Sequence, residues 1–127
     1  MKTYLTASVA MLAGMAIGGF AVQGLHAQAK PPIYYIAEID TQQLDTYMKD
    51  YAPLAQAAIK AAGGKIVAGG TAKGVEGDPP KARTVIQVWE SEEQIQKWRS
   101  SPEYKKAREI GDKIAKFRAL MITGTPQ

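Results

Sequence analysis

The stretch from Arg83 to Ser91, read Arg-Thr-Val-Ile-Gln-Val-Trp-Glu-Ser, most restricts what this chain can fold into. Thr84, Val85, Ile86, Val88 and Trp89 are β-branched or aromatic, the types that fit a pleated, packed surface. Side chains alternate along a strand, so Thr84, Ile86 and Val88 share one face, and Val85, Gln87 and Trp89 the other. Both faces are largely apolar, as in a strand covered on two sides. A central strand of a sheet is therefore expected, with Gln87 beside a large aromatic on a face that must be covered.

The residues on either side supply the other elements. Tyr34 to Asp40 alternates as a first strand, and Asp40 or Thr41 caps a helix with Gln43 in capping-box position. Leu44, Tyr47, Met48, Tyr51, Leu54, Ala55, Ala58, Ile59 and Ala62 recur at helical spacing. Pro53 falls within that run and is expected to kink or split the helix. Gly63-Gly64 stops it. Lys65 to Ala68 is a short second strand, and Gly69 to Pro80 reads as turn and loop. Ser91 with Gln94 forms a second capping box. Ser101-Pro102 opens another helix, with proline at the first position. Phe117 to Thr123 is the last strand. This order predicts an α+β fold, a ferredoxin-like βαββαβ sandwich with a four-stranded antiparallel sheet and two helical segments on one face.

The helices are expected to cover Tyr35, Ala37, Ile39, Thr84, Ile86 and Val88. That assignment leaves Tyr34, Ile36, Glu38, Val85, Gln87 and Trp89 on a bare sheet face. So much apolar surface implies a partner, and two such faces meeting back to back would make a homodimer through the sheet face.

The first 29 residues read differently. Lys2 is followed by an uncharged apolar run from Tyr4 to Val22, then by Ala27-Gln28-Ala29. This is the layout of a secretory signal peptide. The expectation is a signal peptide over 1–29 and a single domain over 30–127 with its core at 33–124, exported to the periplasm or secreted. An uncleaved membrane anchor is the alternative, and Gly14 and Gly18 have the spacing that packs membrane helices.

Residue types exclude much chemistry. The chain has no cysteine and one histidine, His26, which lies within the signal segment. The domain thus has no Ser-His or Cys-His catalysis and no ordinary zinc, copper or iron–sulfur site. No metal and no cofactor are expected. The net charge of +4 is interspersed, with no basic run longer than Lys105-Lys106, so a nucleic-acid partner is not expected.

Gly63-Gly64-Lys65 to Gly69-Gly70, Glu76-Gly77-Asp78-Pro79-Pro80 before Arg83-Thr84-Val85, Trp89-Glu90-Ser91 and Ser101-Pro102-Glu103-Tyr104 form an ordered set. Together they resemble domain-of-unknown-function family 1330, over nearly all of Tyr34 to Gly124. The resemblance implies a dimeric α/β barrel of ferredoxin-like protomers. Relatives in that wider group include cofactor-independent monooxygenases of aromatic compounds and haem-binding enzymes; the lack of histidine departs from the haem pattern.

Glu38 is the candidate catalytic base, because desolvation on a covered face raises a carboxyl pKa toward the useful range. A structural ion pair or a rim position in the dimer is the competing role. Gln87 and Trp89 are candidates to orient and stack a planar ligand. Arg83 is placed to hold a carboxylate bidentately, and Tyr47, with Tyr51 and Tyr104, lies on a helical stripe that suits packing or ligand contact. The expected function is binding of a small apolar or aromatic molecule in a cleft between sheet and helices. The alternatives are a cofactor-independent oxygenase or isomerase of a small aromatic, and a structural or partner-binding dimer.

Overall fold

The computed structural model describes residues 30–126 except Ala82. Residues 1–29, where a signal peptide is expected, lie outside the described residues. The elements run β1 (Ile33–Thr41), α1 (Leu44–Thr46), a π-helical turn (Tyr47–Tyr51), α2 (Ala52–Ala61), β2 (Lys65–Gly70), β3 (Arg83–Trp89), α3 (Glu92–Ser100), α4 (Pro102–Ile114) and β4 (Ala115–Thr123). The sheet is antiparallel, in the order β2-β3-β1-β4. This is the expected βαββαβ arrangement, with β1 and β3 central.

Pro53 neither splits nor ends its helix. The π-helical turn precedes it, and the Ala52 N–H bonds the Tyr47 carbonyl. Proline lacks an N–H and its ring crowds the carbonyl four residues back. A wider turn just before it relieves that crowding. Thr41 acts locally rather than through a capping box. Its hydroxyl accepts from the Gln43 N–H at 3.0 Å and donates to the Ile114 carbonyl at 2.6 Å, joining the end of β1 to the end of α4. Ser91 and Ser101 cap α3 and α4 as expected, accepting from the backbone N–H groups of Gln94 and Tyr104. Gln94 also reaches back to the Glu90 N–H and donates to the Ala62 carbonyl, so one side chain binds the start of α3 to the end of α2.

Helix α2 ends in a Schellman motif. The Gly63 N–H bonds the Lys60 carbonyl and the Gly64 N–H bonds the Ile59 carbonyl, with Gly63 at φ +93°. Gly64 has a second constraint: a Cβ there would stand 2.5 Å from the Trp89 ring. The chain leaves α2 pressed flat on that indole.

The faces of β3 differ from expectation. Tyr35 pairs with Gln87, Ala37 with Val85 and Ile39 with Arg83. Arg83, Val85, Gln87 and Trp89 therefore share the helix side with Tyr35, Ala37 and Ile39. Trp89 is 1% exposed and Gln87 3%. The bare face carries Tyr34, Ile36 and Glu38 with Thr84, Ile86 and Val88, and from β4 Arg118, Leu120 and Ile122. A dimer through the face bearing Val85, Gln87 and Trp89 is thus corrected to one available only through the opposite face. The physical reason is that a strand's period of two fixes which residues share a face but not which face is covered. Gln87 is tolerated inside because its Oε1 accepts from the Trp89 Nε1–H at 2.8 Å.

Candidate functional site

The interior between sheet and helices is divided. One cluster holds Tyr35, Ala58, Ile59, Trp89, Ile95 and Trp98. The other holds Ile39, Tyr47, Tyr51, Ala52 and Ala107. A cavity of about 70 Å³ lies between them, walled by residues of both. Its existence traces to small side chains at inward positions: Ala52, Ala55 and Ala58 on α2, Ala107 on α4, and Ala37 and Ala119 on the sheet. Helical spacing puts the three α2 alanines on one stripe, where larger residues would close the gap.

Aromatic rings form the rest of the wall. Trp98 packs against Tyr35 with centroids 5.2 Å apart, against Tyr104 at 4.8 Å and against Trp89 at 5.1 Å. On the other side Tyr51 packs against Tyr47 at 5.0 Å and Phe117 at 5.4 Å. Burial pushes the hydroxyls of Tyr35, Tyr47 and Tyr51 above their ordinary pKa; Arg99 opposes this at Tyr35 and Arg83 at Tyr47. These phenols are neutral across the physiological range.

The polar groups of the wall are mostly donors. Trp98 is 4% exposed, and its indole N–H has no acceptor among the described residues. A buried donor left unpaired costs about 1–3 kcal/mol, so it points to something that accepts there. Gln87 lines the cavity and commits its oxygen to Trp89, so its NH₂ group is what it has left to donate. Arg83 stands over the Tyr47 ring, 5.8 Å from the centroid.

Arg108 is the most heavily engaged wall residue. It lies over the Phe117 ring at 4.2 Å, donates to the Tyr104 hydroxyl at 2.7 Å and makes two bonds to Asp112 Oδ1, at 2.8 and 3.0 Å. Burial works against its charge, but the Asp112 bond and the surrounding tyrosines push its pKa above the usual value. Beyond it lies an outer groove of about 330 Å³, which shares Tyr35, Arg108, Phe117 and Ala119 with the inner cavity and adds Arg99 and Gln96. Arg99 donates to the Tyr35 hydroxyl.

Of the residues singled out from sequence, Tyr47, Arg83 and Gln87 come together on this cavity. Trp89 lies behind it, packed on Trp98 and bonded to Gln87. Glu38 does not join them. It sits on the bare sheet face, paired with Arg118 at 3.3 Å, so the expectation that it stands beside Gln87 and Trp89 is corrected by the register. Trp98, Tyr35, Arg99 and Arg108 were not singled out as ligand contacts. The signal available for them was the alanine stripe facing the aromatics, which marks a gap rather than a packed layer.

The profile of the domain of unknown function DUF1330 matches residues 32–125, the whole of the described sandwich. The chain belongs to the DUF1330 family. Among solved structures, the DUF1330 fold here is similar to SnoaB, a cofactor-independent oxygenase from Streptomyces nogalater, with 11% identity, a TM-score of 0.58 and coverage of 76% of this chain and 96% of that one. It is similar to the RPA0582 protein of unknown function from Rhodopseudomonas palustris, with 15% identity, a TM-score of 0.57 and coverage of 76% and 84%. A dimeric protein of unknown function and ferredoxin-like fold from Bacteroides fragilis matches with 9% identity, a TM-score of 0.54 and coverage of 73% and 96%. No curated protein matches the chain. At these identities the likeness carries the fold.

Proposed function

We infer that this DUF1330 protein binds a small aromatic or apolar molecule between its sheet and helices. The observation that carries the reading is the cavity dividing the core, walled in part by Trp98, whose indole N–H has no acceptor among the described residues. A domain of this size needs its core filled for stability, and alanines at inward positions forgo that. Ligand sites combine apolar walls with a few placed polar groups, which is the composition here. The test is titration with single- and double-ring aromatics, read by tryptophan fluorescence and thermal shift. Wild-type protein is expected to gain stability with ligand, by about 2.7 kcal/mol at a hundredfold excess over Kd. Ala55→Phe fills the void from a half-buried position on α2 and should abolish binding while the protein still melts cooperatively. Unchanged binding in that variant would overturn the reading.

Cofactor-independent oxygenation of an aromatic is the second reading. It draws on the likeness to SnoaB and on a wall rich in cations and donors, which suits a phenolate or enolate form of a substrate. Glu38 is not the base in that reading, since it stands on the opposite sheet face in an ion pair.

The bare face supports a homodimer. Ile36, Ile86, Val88, Leu120 and Ile122 make it apolar, with Leu120 42% and Ile122 58% exposed. In such a dimer Glu38 and Arg118 form a paired rim contact rather than a catalytic group. Ile86→Lys places a charge at its centre and should yield folded monomers by light scattering; a wild-type monomer at micromolar concentration would count against the dimer. The signal segment supports export with the domain starting near Lys30, which the mass of the same protein purified from its host decides.

A further inference from the structure

The geometry points to an anionic ligand, an aromatic ring bearing a carboxylate, with the ring toward the inner cavity and the acid in the outer groove between Arg99 and Arg108. This rests on the binding reading above and names the class of molecule bound.

Size is the first argument. The inner cavity of about 70 Å³ holds a few waters; an engineered cavity that takes benzene is about 150 Å³. A ring-sized occupant therefore extends past Arg108 into the outer groove of about 330 Å³. Tyr35, Arg108, Phe117 and Ala119 line both spaces, so an occupant that spans them passes beside Arg108.

Hydrogen-bond accounting is the second. Tyr35 Oη accepts from Arg99, and Tyr104 Oη accepts from Arg108. Each hydroxyl thus retains its own O–H to donate. The remaining Arg99 N–H groups, the Gln87 NH₂ and the Trp98 N–H add further donors, the last with no acceptor among the described residues. Among the described residues, no carboxylate lines either space. A wall of donors selects a ligand of acceptors, and Arg83 and Arg99, with no carboxylate partner among the described residues, select a negative one. Guanidinium groups hold planar carboxylates in paired hydrogen bonds, which adds geometric selection to charge.

Charge balance is the third. Arg108 is neutralised by Asp112, which lies on the exposed side of α4. Arg99 has no carboxylate partner among the described residues. Its charge is held in place by Tyr35 and by the Tyr104 ring, 5.4 Å from centroid to guanidinium. An ordered arginine lacking its counter-ion is poised for one from outside.

The test compares matched acids and amides: cinnamate with cinnamamide, and naphthoate with naphthamide. Wild-type protein should bind each acid at least tenfold more tightly than its amide, with the difference shrinking at high salt. Arg99→Gln alters an exposed residue and should reduce acid binding about tenfold and collapse the acid-over-amide preference; Arg108→Gln should do the same or more. Equal binding of acid and amide in wild type would overturn the anion proposal and leave the aromatic-binding reading standing. Binding of neither would overturn both. Acid preference that survives in both arginine variants would place the anion elsewhere and also overturn the proposal.

Discussion

Trp89→Ala is expected to unfold much of the population under conditions where wild type is fully native. Trp89 is 1% exposed, packs on Trp98, bears the flat approach of Gly64 and satisfies Gln87. Truncating a buried tryptophan to alanine costs about 3–5 kcal/mol. Gln87 Oε1 then loses its donor, which adds about 1–3 kcal/mol. The sum approaches the 5–15 kcal/mol that stabilises a whole domain. Guanidinium titration followed by far-ultraviolet circular dichroism checks it. Trp89→Phe separates the two contributions, since it retains a ring and removes the N–H. A loss below about 1 kcal/mol in the alanine variant would show that Trp89 is not the core anchor its burial implies.

Alkaline pH should unfold the protein steeply. Tyr35, Tyr47 and Tyr51 all have pKa values raised by burial, Tyr51 furthest. A raised pKa in the folded state means the folded chain holds the proton more tightly than the unfolded one. Their stabilising contribution is complete below the unfolded tyrosine pKa of about 10 and is lost as pH climbs from there through the folded values. Each such group gives a slope of about 1.4 kcal/mol per pH unit, so the three together approach about 4 kcal/mol per unit. The melting temperature should be flat from pH 7 to 9 and fall sharply above 10. Tyr51→Phe removes one titrating group, and its curve should descend by about a third less per pH unit; lysine deprotonation affects both proteins alike and cancels in the difference. Phenolate absorbance that rises well before the unfolding transition would contradict buried, protected hydroxyls.

Local chemistry made the elements legible. Ser91 with Gln94, Ser101 with Pro102, and Gly63-Gly64 mark boundaries within a few residues of themselves, and each is found in its expected role. The covered face of β3 was not legible, because both of its faces are apolar and the phase is set by pairing with β1 across more than forty residues of chain. Thr84, Ile86 and Val88 were expected inside; the bond between Gln87 and Trp89 makes the other face the better one to bury. Glu38 followed that assignment and moved with it. Tyr47 was legible from its helical stripe, Gln87 as a polar residue beside an aromatic and Arg83 as a donor suited to a carboxylate, and all three line the cavity. Arg99 and Arg108 were not, since an arginine on an amphipathic helix looks like solvent-facing charge until its tyrosine partners are known.

The alanines along α2 separate two jobs that most cores combine. Trp89, Ile39 and Ile95 hold the sandwich together, whereas Ala52, Ala55 and Ala58 set the room left inside it. Exchanging one of those alanines for serine, valine or leucine redraws the space offered to a guest without removing any of the anchoring side chains. A lineage built on this scaffold can therefore reshape its interior through single substitutions on one helical stripe, keeping the same sheet and caps, at a cost of about 1–3 kcal/mol where added methylenes overfill the site. Divergence in cavity shape among such proteins should accordingly concentrate at the small inward positions, Ala52, Ala55 and Ala58 on α2 with Ala37, Ala107 and Ala119 around them.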